Sequence, residues 1–191
     1  THGGYIATRH LIEQGHTRIA FIGGPFSDPF NFARTPSTKR MEGYRAAMAE
    51  AGLAVPDAYL GIDPSEVMGK QSIAFSRELT LQLGALDAPP TGIVTASDMH
   101  AFGVLHAARE HGMRVPDDLS IIGYDNIEAA SYLELTTVSQ LLYQTGKRSA
   151  ERMLQLLGGA TDVPRFERLE LEIVIRKTTA PVGSTRSVDG K

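Results

Sequence analysis

Along this chain, short uninterrupted apolar runs give way to glycine- or proline-marked breaks and then to stretches of helical periodicity. That alternation restricts the fold more than any other feature. Residues 4–14 read as a helix stopped at Gly15, and 18–22 as a strand broken by Gly23-Gly24-Pro25. A helix over 39–51 places Met41, Tyr44 and Met48 on one face and ends at Gly52. A weaker strand at 59–62 leads to Asp63-Pro64-Ser65, and a helix over 68–84 carries Ile73, Phe75, Leu79 and Leu83. The pattern then repeats: strand 93–95, helix 98–111 closed by Gly112, strand 119–122, a short strand at 137–138, and a helix over 143–157 stopped at Gly158-Gly159. Between 169 and 176, apolar and polar residues largely alternate, as in a half-exposed strand.

Strands separated by helices of this length imply right-handed βαβ units and a largely parallel sheet covered on both faces, so the expected class is α/β. A chain of 191 residues, 42% hydrophobic and 21% charged, can bury such a core as one domain or a little more. The absence of cysteine excludes disulfides, thiolate zinc sites, iron–sulfur clusters and cysteine nucleophiles. A net charge of −3 lacks the basic footprint of a nucleic-acid-binding domain. No apolar run approaches the roughly 18 residues that cross a bilayer, so no membrane partner is expected. The chain begins at Thr1 and turns helical almost at once, which suggests a piece of a longer protein.

In open parallel sheets, ligands bind beyond the carboxyl ends of the strands, at a topological switch point. Beyond the first strand lies the helix opening with Lys39-Arg40; Arg40 is either a ligand clamp or a solvated surface arginine. The second strand end offers Asp63-Pro64-Ser65-Glu66. The third offers Ser97-Asp98, one of which is expected to cap the next helix. The fourth offers Tyr124-Asp125-Asn126, polar groups that either fix a ligand or only make a turn.

Other chemistries are poorly represented. His100, His106 and His111 are spaced six and five apart, off any single helical face, so no metal site is expected. There is no Gly-x-Ser-x-Gly elbow, no Walker-type loop and no dinucleotide fingerprint. The strand ends carry hydrogen-bonding groups but no nucleophile with a base, which favours a binder over an enzyme; no catalytic residue and no cofactor is assigned.

Several segments carry a likeness to a known family. Gly15-His16-Thr17-Arg18-Ile19-Ala20-Phe21-Ile22-Gly23-Gly24-Pro25, Arg40-Met41-Glu42-Gly43-Tyr44, the run from Ser97-Asp98 through Gly103, Gly112 and Val115-Pro116 to Ile122-Gly123-Tyr124-Asp125-Asn126, then Leu135-Thr136-Thr137-Val138-Ser139-Gln140 and Arg176-Lys177-Thr178-Thr179-Ala180-Pro181 stand in the order and spacing of lactose-repressor and purine-repressor (LacI) family regulators. The likeness covers about residues 3–181. It implies a type I periplasmic-binding-protein-like fold, in which two three-layer α/β subdomains joined by crossovers close on a small effector. The chain would then hold a helix of the amino-terminal subdomain (1–17), the carboxyl-terminal subdomain (18–140), a second amino-terminal helix (141–160), the closing carboxyl-terminal strand (161–181) and a disordered tail (182–191). The DNA-binding headpiece would lie outside this sequence. The parent would be a cytoplasmic regulator sensing a sugar, nucleoside or purine and touching operator DNA through that headpiece alone. The alternative is a periplasmic sugar-binding protein of a transport system.

By family position, the resemblance makes Arg40 and Asp125 the polar anchors of the effector pocket. Ser97, Asp98 and Gln140 are supporting contacts. Pro64 stands where many members stack an aromatic on the ligand, and the loop 26–38, with Phe26, Phe30, Phe32 and Arg34, is longer than usual, so Phe32 is a candidate for the missing face. The segment 132–135 lacks the proline many members place before the threonine pair. Helix 98–111 carries apolar residues around more than one face, and the resemblance places it at a two-fold interface, so Phe102 and Tyr132 are candidate homodimer contacts. The two helices assigned to the other subdomain are expected to show open apolar faces.

Overall fold

The computed structural model describes residues 1–24, 35–63 and 70–183. Pro64, Phe26, Phe30, Phe32, Arg34 and the tail from 184 onward lie outside the described residues. The elements run α1 (His2–Glu13), β1 (Ile19–Gly23), α2 (Pro36–Glu50), β2 (Leu60–Ile62), α3 (Lys70–Gly84), β3 (Gly92–Thr95), α4 (Asp98–Glu110), β4 (Ser120–Asp125), α5 (Glu128–Tyr132), β5 (Thr136–Ser139), α6 (Leu142–Leu157) and β6 (Glu172–Val174). Among the described residues the strands form one six-stranded sheet of order β2-β1-β3-β4-β5-β6, parallel except for the β5–β6 pair.

The central strands β1, β3 and β4 are largely apolar because both faces are covered, while the buried β5 carries Thr136, Thr137 and Ser139. Along β1, Ile19 and Phe21 point into a core with Leu11, Tyr44 and Met48 from α1 and α2. The intervening Ala20 and Ile22 join Leu83, Ala101 and Val104 from α3 and α4. The result is three layers, as expected. β6, partly exposed as its alternating sequence led one to expect, is shorter than the 169–176 alternation and lies antiparallel at the sheet edge.

Three expectations are corrected. Helix α2 begins at Pro36 and not at 39, because Thr35 caps it, its side chain accepting from the Thr38 amide at 3.2 Å, with Pro36 in the first turn. Arg40 therefore sits a full turn inside the helix. Helix α1, assigned to another subdomain with an open apolar face, packs on this sheet beside α2; Ala7 and Leu11 are fully buried in its core. The wide apolar surface of α4 is spent within the fold: it packs on the sheet beside α3, with Ala101, Val104, Ala107 and Ala108 buried and Phe102 and Leu105 partly covered by the same core. The second helix of that group behaves as expected, for no residue of α6 is buried and Leu142, Tyr143, Met153, Leu154, Leu156 and Leu157 are all exposed.

Close contact between α1 and α2 depends on glycine. A Cβ on Gly4 would overlap the main-chain carbonyl of Arg40, so Gly4 sets how near Arg40's own backbone approaches α1. Gly4→Ala is expected to cost about 1–3 kcal/mol in urea unfolding, the usual range for overpacking. Gly146→Ala, within α6 and facing open space, should stabilise by about 0.5–1 kcal/mol. Equal responses at the two sites would contradict the close helix crossing.

Candidate functional site

The chain passes from β1 outward to β2 and then back past β1 to β3, so the switch point lies between β1 and β3. The carboxyl ends of β3, β4 and β5 lie along the same edge, and α2 crosses it. Arg40 reaches over this edge from α2. Its Nη1 donates to the Ala96 carbonyl beyond β3. Its guanidinium lies over the Tyr124 ring, the central carbon 3.7 Å from the centroid. Its Nη2 stands 3.6 Å from Asp125 Oδ1. Gln140, just past β5, donates its side-chain amide to the same carboxylate oxygen. The Arg40 and Asp125 side chains retain 14% and 21% exposure, enough to meet a ligand without standing in bulk water.

The turn after β4 is built to aim this carboxylate. Asp125 and Asn126 both have positive φ, 120° and 56°, a region sparsely occupied by residues other than glycine and held only where surrounding structure insists. Asp98 supplies that insistence. Fully buried, it accepts from Thr137 Oγ1 at 2.6 Å and from the Ile127 amide at 2.9 Å. Arg176 closes the other side, donating to Asn126 Oδ1 at 2.8 Å and to the Leu135 carbonyl at 2.6 Å. Burial is the main influence on both carboxyls. It raises Asp98 above its usual value against the hydrogen bonds from Thr137 and the turn amides. It raises Asp125 to about 6, with Arg40 opposing, Asp98 adding and Gln140 opposing.

The structure thus gathers Arg40, Asp125 and Gln140 into one cluster. Ser97 and Asp98 lie beneath it, both fully buried: Ser97 caps α4, its side chain accepting from the His100 amide at 3.3 Å, and Asp98 holds the turn. Pro64 and Phe32 lie outside the described residues. Tyr124 was not singled out as a site residue, although an aromatic immediately before the acidic strand end was the available signal. Phe102 is partly buried against the core, while Tyr132 is 76% exposed. An open cavity of about 860 Å³ lies against Tyr124, between the first turn of α1 and residues 168–171. It does not take in Arg40 or Asp125, and the converging polar groups belong to the strand-end cluster.

Comparison with known proteins places this architecture. A family model described as a periplasmic binding protein-like domain matches residues 8–179. The HTH-type transcriptional repressor PurR of Vibrio campbellii is 35% identical over 178 residues, 92% of this chain and 50% of that protein. The ribose operon repressor of Escherichia coli is 38% identical over 175 residues, covering 91% and 49%. The chain spans about half the length of the curated relatives it matches. Among solved structures, a LacI family transcriptional regulator from Mycobacterium smegmatis is similar with a TM-score of 0.72 at 36% identity, over 94% of this chain and 63% of that one. A LacI family regulator from Enterococcus faecium, solved with bound ribose, gives 0.73 at 32% identity, over 94% and 62%. The chain belongs to the periplasmic binding protein-like domain family, in the form found in LacI-family transcriptional regulators.

Proposed function

We propose that this chain is the larger part of the effector-sensing unit of a transcriptional regulator, and that Arg40, Asp125 and Gln140 are the polar face of its effector pocket. The observation that carries the reading is the convergence of a fixed donor fork and a carboxylate on the Tyr124 platform, at the strand edge where this architecture takes ligands. Donors and acceptors side by side suit a polyhydroxyl sugar, a nucleoside or a purine. The ribose held by the Enterococcus faecium regulator makes a pentose the first compound to try. A transport role on the same fold is the weaker reading, because the relatives named above are repressors.

The unburied α6 belongs to a companion lobe that closes on this edge, while α1 belongs to the lobe described here. The parent acts in the cytoplasm as a homodimer, with the exposed Tyr132 at the interface, and contacts operator DNA through a separate headpiece. In the closed cleft, each charge-assisted bond to the ligand contributes about 1.5–3 kcal/mol. Calorimetry with D-ribose on the full regulator carrying Arg40→Ala or Asp125→Ala should therefore show affinity lower by roughly ten- to a hundredfold. Folded variants that bind as tightly as the parent would overturn the assignment.

The same assignment has a cost in stability. A carboxyl raised to about 6 binds its proton more tightly folded than unfolded, so its charged form opposes folding above that pH and not below its ordinary value of 3.8. Asparagine has nearly the shape of the aspartate that already holds this backbone conformation, and carries no charge. Asp125→Asn should accordingly raise stability by about 1 kcal/mol at neutral pH, the gain fading as pH falls towards about 4. Thermal melts across that range check it; a loss of stability at neutral pH would contradict the electrostatic account of the site.

A further inference from the structure

Directly beneath the strand-end cluster lies a line of three polar side chains that the effector reading does not use. Ser97 and His100, from the start of α4, are fully buried, and Asp63, at the end of β2, is 2% exposed. His100 Nδ1 is 2.7 Å from Ser97 Oγ, and its Nε2 is 3.2 Å from Asp63 Oδ2. The hydrogen-bond roles follow from the partners. Ser97 Oγ already accepts the His100 amide as the helix cap, so its hydroxyl proton points to Nδ1. Nε2 then carries the ring proton and donates it to the Asp63 carboxylate. Such a ring is neutral. Burial, the largest influence, pushes the imidazole below its ordinary value; Asp63 pulls the other way and Arg40, on α2, pushes with burial.

The order of residues resembles a hydrolytic triad, but its geometry does not serve one. The serine hydroxyl caps a helix in the interior, and no face of the imidazole reaches solvent. What the line does instead is tie separate strand ends together. Asp63 is also fixed to β1, its amide donating to the Gly23 carbonyl at 2.9 Å. Ala96, the residue before Ser97, donates to Ile22 of β1 at 2.7 Å and turns its own carbonyl to Arg40 Nη1. The direction of that carbonyl depends on the turn that Ser97 makes, and Ser97 is held from below by His100.

We propose that His100 is a positioning residue for the Arg40 anchor: by tying Ser97 to Asp63 it fixes the turn whose Ala96 carbonyl holds the guanidinium against Tyr124. Its importance for ligand binding rests on the effector-site reading, but the geometry it controls exists without ligand. A purely apolar side chain at position 100 leaves the Asp63 carboxylate without the ring N–H that meets it in the interior, and buried acceptors that lose a donor force rearrangement. The turn shifts, the guanidinium leaves the Ala96 carbonyl, and Asp125 loses the cation that lowers its proton affinity.

The test is ligand-free NMR on the 191-residue chain, so its failure is separable from failure of the effector reading. In His100→Met, the Asp125 carboxyl midpoint should rise from near 6 by about half a unit or more. Exchange of the Arg40 Nη hydrogens, which meet the Ala96 carbonyl and Asp125, should quicken by about tenfold. His100→Gln, which keeps a donor for Asp63, should restore both values. A folded His100→Met protein with unchanged Asp125 midpoint and unchanged Arg40 exchange overturns the proposal. The unmutated protein gives a second reading that does not depend on the variant folding. Nitrogen-15 shifts of His100 at neutral pH should show the neutral ring protonated at Nε2. An imidazolium, or a ring protonated at Nδ1, overturns the hydrogen-bond line on which the proposal stands.

Discussion

The candidate ligand-binding edge of this molecule depends on one awkward interaction: a guanidinium held mostly out of water. Arg40 has three partners there, a carbonyl, an aromatic face and a carboxylate, and each is supplied by a different kind of structure. The carbonyl comes from the turn after β3, the ring from the last inward-facing position of β4, and the carboxylate from a backbone conformation that residues other than glycine rarely adopt. None of the three is placed by the helix that carries Arg40. They meet because a parallel sheet brings the carboxyl ends of its strands to one edge. The glycine contacts between α1 and α2 matter for the same reason, since they set the height from which Arg40 reaches down.

The fold was legible where physical chemistry acts locally. Continuous apolar runs ended by glycine marked β1 and β4, because strands covered on both faces have little polar side to show. Alternation marked the antiparallel edge strand, since one of its faces stays partly wet. The start of α2 was misplaced by ignoring the Thr35-Pro36 pair, a capping residue followed by a first-turn proline. The partner of α1 was misplaced for a different reason. An amphipathic pattern says that a face is buried, not what buries it: α6 is the more strongly amphipathic of the two helices, yet only α1 is covered.

The site was legible to the extent that strand-end position is encoded in sequence. Arg40, Asp125 and Gln140 meet where the topology predicts. Ser97 and Asp98 occupy equally suggestive positions but turn inward, one to cap α4 and one to hold the turn after Asp125. Sequence gives the order of residues in a turn and not the direction of each side chain, which is decided by where neighbouring donors lie. His100 shows the same limit: its spacing from the other histidines argued against a metal but carried no hint of a contact with Asp63, 37 residues earlier in the chain.

On the proposed function, Asp125 receives the ligand as a carboxylate while resting close to half-protonated near pH 6. Ligand hydroxyls that donate to it favour the charged form and drive off the proton. Calorimetric titration of the complete parent protein with D-ribose, in buffers of unlike ionisation enthalpy, measures that proton directly. The account predicts release of about half a proton per ligand near pH 6, and almost none at about two pH units higher or in Asp125→Asn. Heats independent of buffer near pH 6 would show that Asp125 does not change its protonation on binding, and would contradict the account.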